Sequence, residues 1–262
     1  MIYKIDDIDI TAYGATPIVR SGGLAVEGIF DLPKRRGDVE HNWGTSIEPL
    51  VDAADIEIDG RTITLSVAIR GYGAELQNRI KNFTDACLSC KWFSTSYDTF
   101  EVICRDNIEV RDTLNLTLIT VQFWQEIFYL KPLTKTPSHS GKYRIGGFGL
   151  QDNFGIVVAE RSGESSVAKR IEVPTTEFYQ NAQYRENRPL TFACTMLGDS
   201  TADLYDKMCQ FQALLYKSGL RTLHCLSGNE THAFNVYMKD GFAARTHSDN
   251  ALTFTLNLIE EK

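Results

Sequence analysis

The chain has 262 residues, enough for one large domain or two small ones, and its 43% hydrophobic and 23% charged side chains exclude a disordered, collagen-like or low-complexity protein. Its 27 Lys and Arg against 34 Asp and Glu give a formal net charge of −7, which disfavours a nucleic-acid reader, because duplex binding needs a basic surface that displaces counterions from phosphates. The most apolar stretch, residues 116–124, is interrupted by Thr117, Thr120 and Gln122 and falls short of the roughly 18 apolar residues that a spanning helix needs. At the amino terminus, Ile2, Tyr3 and Ile5 mix with Lys4, Asp6 and Asp7 without the basic-then-apolar order of an export signal. The expectation is a protein made and kept in the cytoplasm, with no membrane partner and with its six cysteines reduced.

In chain order, the first residues already have a counterpart further on. Tyr3-Lys4-Ile5 is answered by Tyr143-Arg144-Ile145, Tyr13-Gly14 by Phe154-Gly155, Arg20-Ser21-Gly22 by Arg161-Ser162-Gly163, Val26 by Val167 and Pro33 by Pro174. Ile63, Leu65, Val67 and Ile69 then alternate with Thr62, Thr64, Ser66 and Arg70, the period of a half-buried antiparallel strand. Leu190, Phe192, Cys194 and Met196 repeat that pattern. A helix follows, with Leu76, Ile80, Phe83 and Cys87 in one apolar stripe and Glu75, Arg79, Lys81 and Asp85 outside it. Its counterpart carries Leu204, Met208, Phe211 and Leu215 behind a capping signature, Ser200 with Asp203 three residues on. Closing strands are expected around Phe100, Val102 and Cys104 and around Leu116 and Leu118, matched by Phe234, Val236 and Met238 and by Leu252 and Phe254. The prediction is an α+β, mainly β chain: two tandem copies of an antiparallel, barrel-like sheet module, each with one packed amphipathic helix. The first module spans residues 1–130 and the second 143–262. Residues 131–142 form the linker, where Pro132, Pro137 and Gly141 defeat helix and sheet alike.

Candidates for chemistry are few. Cys87 and Cys90 have the two-residue gap of zinc and redox sites, but Cys87 aligns with Leu215 and Cys104 with Met238, so these are read as small core hydrophobes. His41, His139, His224, His232 and His247 show no metal-ligand spacing. Gly146-Gly147-Phe148-Gly149 precedes a strand pattern and reads as a turn, not as a dinucleotide cradle. No catalytic, cofactor or metal site is predicted. The distinctive element is the long loop 34–48, which contains Lys34, Arg35, Arg36, His41 and Trp43. Long loops in compact modules are usually functional or disordered, and Trp43 argues against disorder. These five residues are the candidate contact site, with the expectation that the loop can be deleted without unfolding the monomer.

The tandem sheet-plus-helix modules, the opening Tyr3-Lys4-Ile5-Asp6-Asp7-Ile8-Asp9-Ile10 and the stretch Phe30-Asp31-Leu32-Pro33-Lys34-Arg35-Arg36-Gly37 resemble the tube-forming domains of bacteriophage tail, distal-tail and baseplate-hub proteins. That resemblance implies a non-enzymatic structural protein of a phage or prophage tail, assembled in the host cytoplasm. It implies self-association, with three two-module chains making a pseudo-hexameric ring, other tail or baseplate proteins as partners, and DNA only as passing cargo. Helices would pack outside and sheets would face the lumen, and the acidic balance suits passage of DNA. Two other readings stay open: a small-ligand binder or enzyme with a site at the module interface, and a carbohydrate-binding or adhesion module using Trp43, Trp92 and Trp124 as stacking platforms.

Overall fold

The structure, a computed structural model, describes all residues except 1, 20–22, 44–45, 106–107, 114–115, 164–169, 172–183, 186, 228–229 and 262, with 170–171 and 184–185 described as backbone. It is α+β and mainly β, built of antiparallel sheets with few helices. In the first half, β1 (Lys4–Ile5) and β2 (Ile8–Asp9) lead through a 3-10 turn to β3 (Ala15–Pro17) and β4 (Val26–Glu27). A hairpin, β5 (Glu40–Asn42) and β6 (Ile47–Pro49), precedes the long β7 (Arg61–Arg70), the helix α1 (Gly73–Ser89) and five further strands. These are β8 (Trp92–Ser94), β9 (Thr99–Glu101), β10 (Ile103–Cys104), β11 (Glu109–Thr113) and β12 (Leu116–Gln125).

The second half opens with β13 (Tyr143–Ile145), β14 (Phe148–Gly149) and the one-turn helix α2 (Leu150–Phe154). It continues with β15 (Ile156–Ser162), β16 (Arg170–Ile171), β17 (Tyr184–Arg185), β18 (Arg188–Leu197) and α3 (Thr201–Leu215). The chain closes with β19 (Arg221–Ser227), β20 (Glu230–Tyr237), β21 (Ala244–Ser248) and β22 (Ala251–Glu260). Among the described residues, the pairings of the first half recur in the second. β1 lies between β2 and β8 as β13 lies between β14 and β19. β12 binds β7, β10 and β11 as β22 binds β18, β20 and β21. The break between β3 and β4 along β7 is answered by the bulge between Val158 and Glu160 along β18.

These ladders revise two correspondences expected from sequence. Thr117 faces Ile69 and Leu252 faces Met196, so Leu252 matches Thr117 and not Leu116. The inward face of β12 is accordingly Thr117, Ile119, Val121, Phe123 and Gln125, all buried, while Leu116 and Leu118 lie half-buried on the other face. A one-residue slip inverts every side chain of a strand, and an apolar residue on both faces hid the phase. Likewise Val26 and Glu27 face Leu65 and Thr64 as Arg161 and Ser162 face Phe192 and Thr191, which makes Val26-Glu27-Gly28 the counterpart of Arg161-Ser162-Gly163. A side chain at Gly28 would run into the Thr62 carbonyl oxygen, and one at Gly163 into that of Pro189. The matches drawn for residues 20–22, Val167 and Pro174 fall outside the described residues.

One buried hydrophobic core runs through both halves, and a constellation at the edge of each recurs with one exchange. Buried Arg61, first residue of β7, donates Nε to Gln125 Oε1 at 2.8 Å and lies 5.4 Å over the Phe100 ring. Arg188, first residue of β18, donates Nε to Glu260 Oε2 at 2.6 Å and lies 5.4 Å over Phe234. The linker expected at 131–142 has no regular structure but is not a loose tether. Buried Gln210 on α3 accepts from Thr134 N at 2.7 Å and donates to the Pro132 carbonyl at 3.0 Å, strapping the linker to the helix.

The halves are joined backbone to backbone where Leu32 and Phe242 exchange two hydrogen bonds of 3.0 and 2.9 Å. Gly241 makes this approach possible, since an added Cβ would meet the Leu32 carbonyl oxygen. Gly241→Ala is expected to cost about 2 kcal/mol and to lower Tm by roughly 4–8 °C in a thermal melt. A Tm within about 1 °C of wild type would mean that the halves do not meet at this point.

Candidate interaction surface

The seam between the halves is built on α3. Ser200 caps this helix, accepting from Asp203 N at 3.2 Å, and the expected stripe of Leu204, Met208, Phe211 and Leu215 is buried. A second stripe is buried as well, so that every residue from Met208 to Tyr216 is out of water. A helix that is apolar all round must be covered all round, and the first half provides the second cover. Tyr205 donates to Asp98 Oδ2 at 2.7 Å, Gln212 Nε2 to the Phe30 carbonyl at 3.0 Å and Tyr216 to the Pro33 carbonyl at 2.8 Å. The Tyr205 ring also packs on Phe30, Tyr97 and Phe100. These partners were not legible from one helical stripe; the signal was the run of Tyr205, Cys209, Ala213 and Tyr216 along the opposite side of α3.

Loop 34–48 leaves this seam as an arm, and its five candidate residues divide. Arg35 is not the surface cation that a basic run suggests. It is 5% exposed, bridges Ile58 by its backbone, and donates its guanidinium to the carbonyls of Leu50 and Asp55, while its Nε is buried without a partner. Burial lowers its pKa. Lys34 and Arg36 are exposed; Arg36 forms a 3.3 Å ion pair with Asp59, a surface contact worth little. His41 and Trp43 meet at the end of the β5–β6 hairpin, rings 4.2 Å apart and inclined by 65°. Trp43 is 61% exposed, with its indole N–H held at 2.7 Å by Glu48. A large aromatic fixed in place and turned to solvent is the kind of side chain that anchors protein contacts.

The base of the arm belongs to the seam through residues not anticipated from sequence. Glu40 accepts from the Tyr237 hydroxyl and from Lys239 Nζ, the latter at 3.1 Å. Burial, and then the bond to Glu40, push the Tyr237 hydroxyl pKa upward. Asp31 accepts from Ala244 N at 2.7 Å, and Gly219 N donates to the Val51 carbonyl at 2.8 Å. Within loop 34–48, then, Glu40 is tied to the second half, whereas the tip residue Trp43 is held by Glu48 and His41 of the same hairpin.

Elsewhere, several polar groups that could perform chemistry are already engaged. A cleft of about 310 Å³ at the seam is lined by Arg61, Asp98, Phe128, Lys131, Tyr205 and Gln212. In it, Asp98 is bound by Tyr205 and by Lys131 at 2.7 Å. Burial would raise its carboxyl, but these hydrogen bonds outweigh burial and hold it below the ordinary carboxylate range. All six cysteines are thiols, and five are buried. Burial raises Cys87 and pushes Cys90 up to about 12, so neither is a thiolate at neutral pH. Among the described residues, no group of three His, Cys, Asp or Glu side chains is placed to hold a metal ion, and no helix is long and apolar enough to cross a membrane. Gly146 and Gly147 form the turn between β13 and β14, both with positive φ. The chain matches no protein-family model, no curated protein and no solved structure.

Two outcomes separate anchor from tip. Trp43→Ala is expected to change stability by less than about 0.5 kcal/mol, whereas Glu40→Ala, which strips the acceptor from Tyr237 and Lys239, should cost about 1–3 kcal/mol in urea unfolding. Asp31 adds a pH dependence. Burial raises its carboxyl pKa, so its contribution favours the fold below the ordinary carboxylate pKa and is lost as pH rises through the raised value. Asp31→Asn keeps the acceptor for Ala244 without the charge. Its stability relative to wild type should increase between roughly pH 3 and pH 7, and a difference that is flat or falls with pH would contradict the effect of burial.

Proposed function

We propose that the chain is a structural, non-catalytic subunit of a phage or prophage tail, made of two copies of a tube-like module and assembling as a trimer around the DNA-ejection channel. The observation that carries this reading is the recurrence of one strand-pairing scheme in both halves, joined by a contact of unlike surfaces: the arm of the first half on α3 of the second. Such a contact leaves one surface of each kind unused, and its repetition between chains closes a ring or runs on as a filament. Three chains of two modules give a ring of six. The resemblance of residues 3–10 and 30–37 to phage tail proteins supplies the biological setting, and the net charge of −7 fits a lumen through which DNA passes without sticking. In this reading the Trp43 tip meets a neighbouring subunit or the adjacent ring, the other partners are tail and baseplate proteins, and no cofactor takes part.

Light scattering over a concentration series, with negative-stain images of the heaviest species, tests the proposal. The expected species is a trimer seen as a six-lobed ring with a central hole; a closed dimer, or a monomer at every concentration, would overturn self-assembly into a ring. The seam cleft of about 310 Å³ favours a second reading, a small-ligand binder. A metabolite that raises Tm, with the rise abolished by Lys131→Met, would support it.

A further inference from the structure

The exchange of Gln125 for Glu260 leaves the first half with a buried cation that lacks a carboxylate. Arg188 is paired with Glu260 Oε2 through Nε at 2.6 Å and again through Nη2. Arg61, 6% exposed, has only neutral acceptors: Gln125 Oε1 for Nε, and the carbonyls of Ile29 and Asp31 for Nη1 at 2.7 and 3.1 Å. Its Nη2 group meets no acceptor among the described residues. Two aspartates lie nearby, and both are turned to other donors. Asp98 accepts from Thr99 N, the Tyr205 hydroxyl and Lys131, and Asp31 accepts from Ala244 N. A buried charge without its partner is costly. Water can satisfy the N–H groups of Nη2 but does not cancel the charge.

Arg61 also lines the seam cleft of about 310 Å³, a volume at the lower end of those that small ligands occupy. The ring centres of Phe100 and Phe128 lie 5.4 and 4.7 Å from its guanidinium carbon, and Tyr205 adds a ring from α3. Lys131 and Asp98 neutralise one another in the lining, so the charge left over is that of Arg61. Apolar walls around one uncompensated cation select an anion with an apolar body. We propose that the cleft binds a small carboxylate with an aromatic or aliphatic body, its carboxylate standing beside Arg61 as that of Glu260 stands beside Arg188. This rests on the small-ligand reading of the cleft and adds the ligand's charge and the residue that reads it. A bound carboxylate ties the halves together, because Arg61 holds the root of the arm while Tyr205 and Gln212 belong to α3.

Thermal melts with hexanoate and benzoate, each beside its amide at matched ionic strength, test the site in the wild-type chain and in Gln125→Glu, which gives Arg61 the counter-charge that Arg188 has. At least one acid is expected to raise the wild-type Tm by about 3–6 °C at roughly ten times its Kd, with its amide at least about tenfold weaker. Gln125→Glu should melt at or above the wild-type temperature without ligand and lose the response to the acid. Phe128→Ala, which removes a wall and leaves the Arg61 hydrogen bonds in place, should weaken the acid at least about fivefold. Amides that bind as well as the acids would overturn the carboxylate while leaving the small-ligand reading standing. So would a chain that ignores both acids yet is stabilised by a neutral metabolite in a Lys131-dependent way. A full response to the acid in both variants would place binding away from Arg61 and overturn the site, and no response to any compound would overturn both readings of the cleft.

Discussion

Much of what joins one half to the other depends on keeping water away from the last two turns of α3. Residues 208–216 are buried without exception, yet Gln210, Gln212 and Tyr216 carry polar groups there. A buried amide or hydroxyl without a partner costs about 1–3 kcal/mol, so each must find one, and the three find them in different places. Gln210 takes the linker, while Gln212 and Tyr216 take the carbonyls of Phe30 and Pro33. The apolar stripes set how much is buried. The three polar residues fix where the covering segments lie, because a displaced linker or arm would leave them unsatisfied.

Much of the architecture is legible in the sequence because the periodicities are strong. The alternation along Ile63–Ile69 and Leu190–Met196, the spacing of Phe83 with Leu76 and Cys87, and the Ser200 cap all point to the elements that form. What stays hidden is phase and partnership. Leu116 and Leu118 look like core yet lie on the half-buried face of β12, because Thr117 and Gln125 hold inward positions that their polarity disguises. Arg35 has the appearance of a surface cation, and only the carbonyls of Leu50 and Asp55 at 15 and 20 residues' distance explain its burial. Glu40, Asp31 and Asp98 carry no local pattern at all; their importance comes from residues about 107–213 positions away.

The same interactions occupy several of the groups that could otherwise perform chemistry. Functional sites usually leave some polar group short of partners, ready for a ligand. Here the carboxylates of Glu40 and Asp98 are committed to tyrosine and lysine, and the thiols of Cys87, Cys90 and Cys194 sit in the core with burial holding them protonated. Many polar groups in this fold are used for positioning. Large apolar side chains left to solvent include Trp43 on the arm, Tyr72, Tyr129 and Leu88.

The exchange of Gln125 for Glu260 bears on how the chain reaches this state. Arg188 has its counter-charge within its own half, so the second half completes its buried polar pair alone. Arg61 has a neutral amide instead and takes its other contacts from the carbonyls of Ile29 and Asp31, at the root of the arm. The arm in turn has nothing to lie on until α3 exists, some 180 residues later. On the ribosome the arm emerges first, and its contacts with α3 form only once the carboxy-terminal half has been made. The arm must wait for the carboxy-terminal half, and surface left uncovered during synthesis is where a chain can pair with a neighbour instead of with itself.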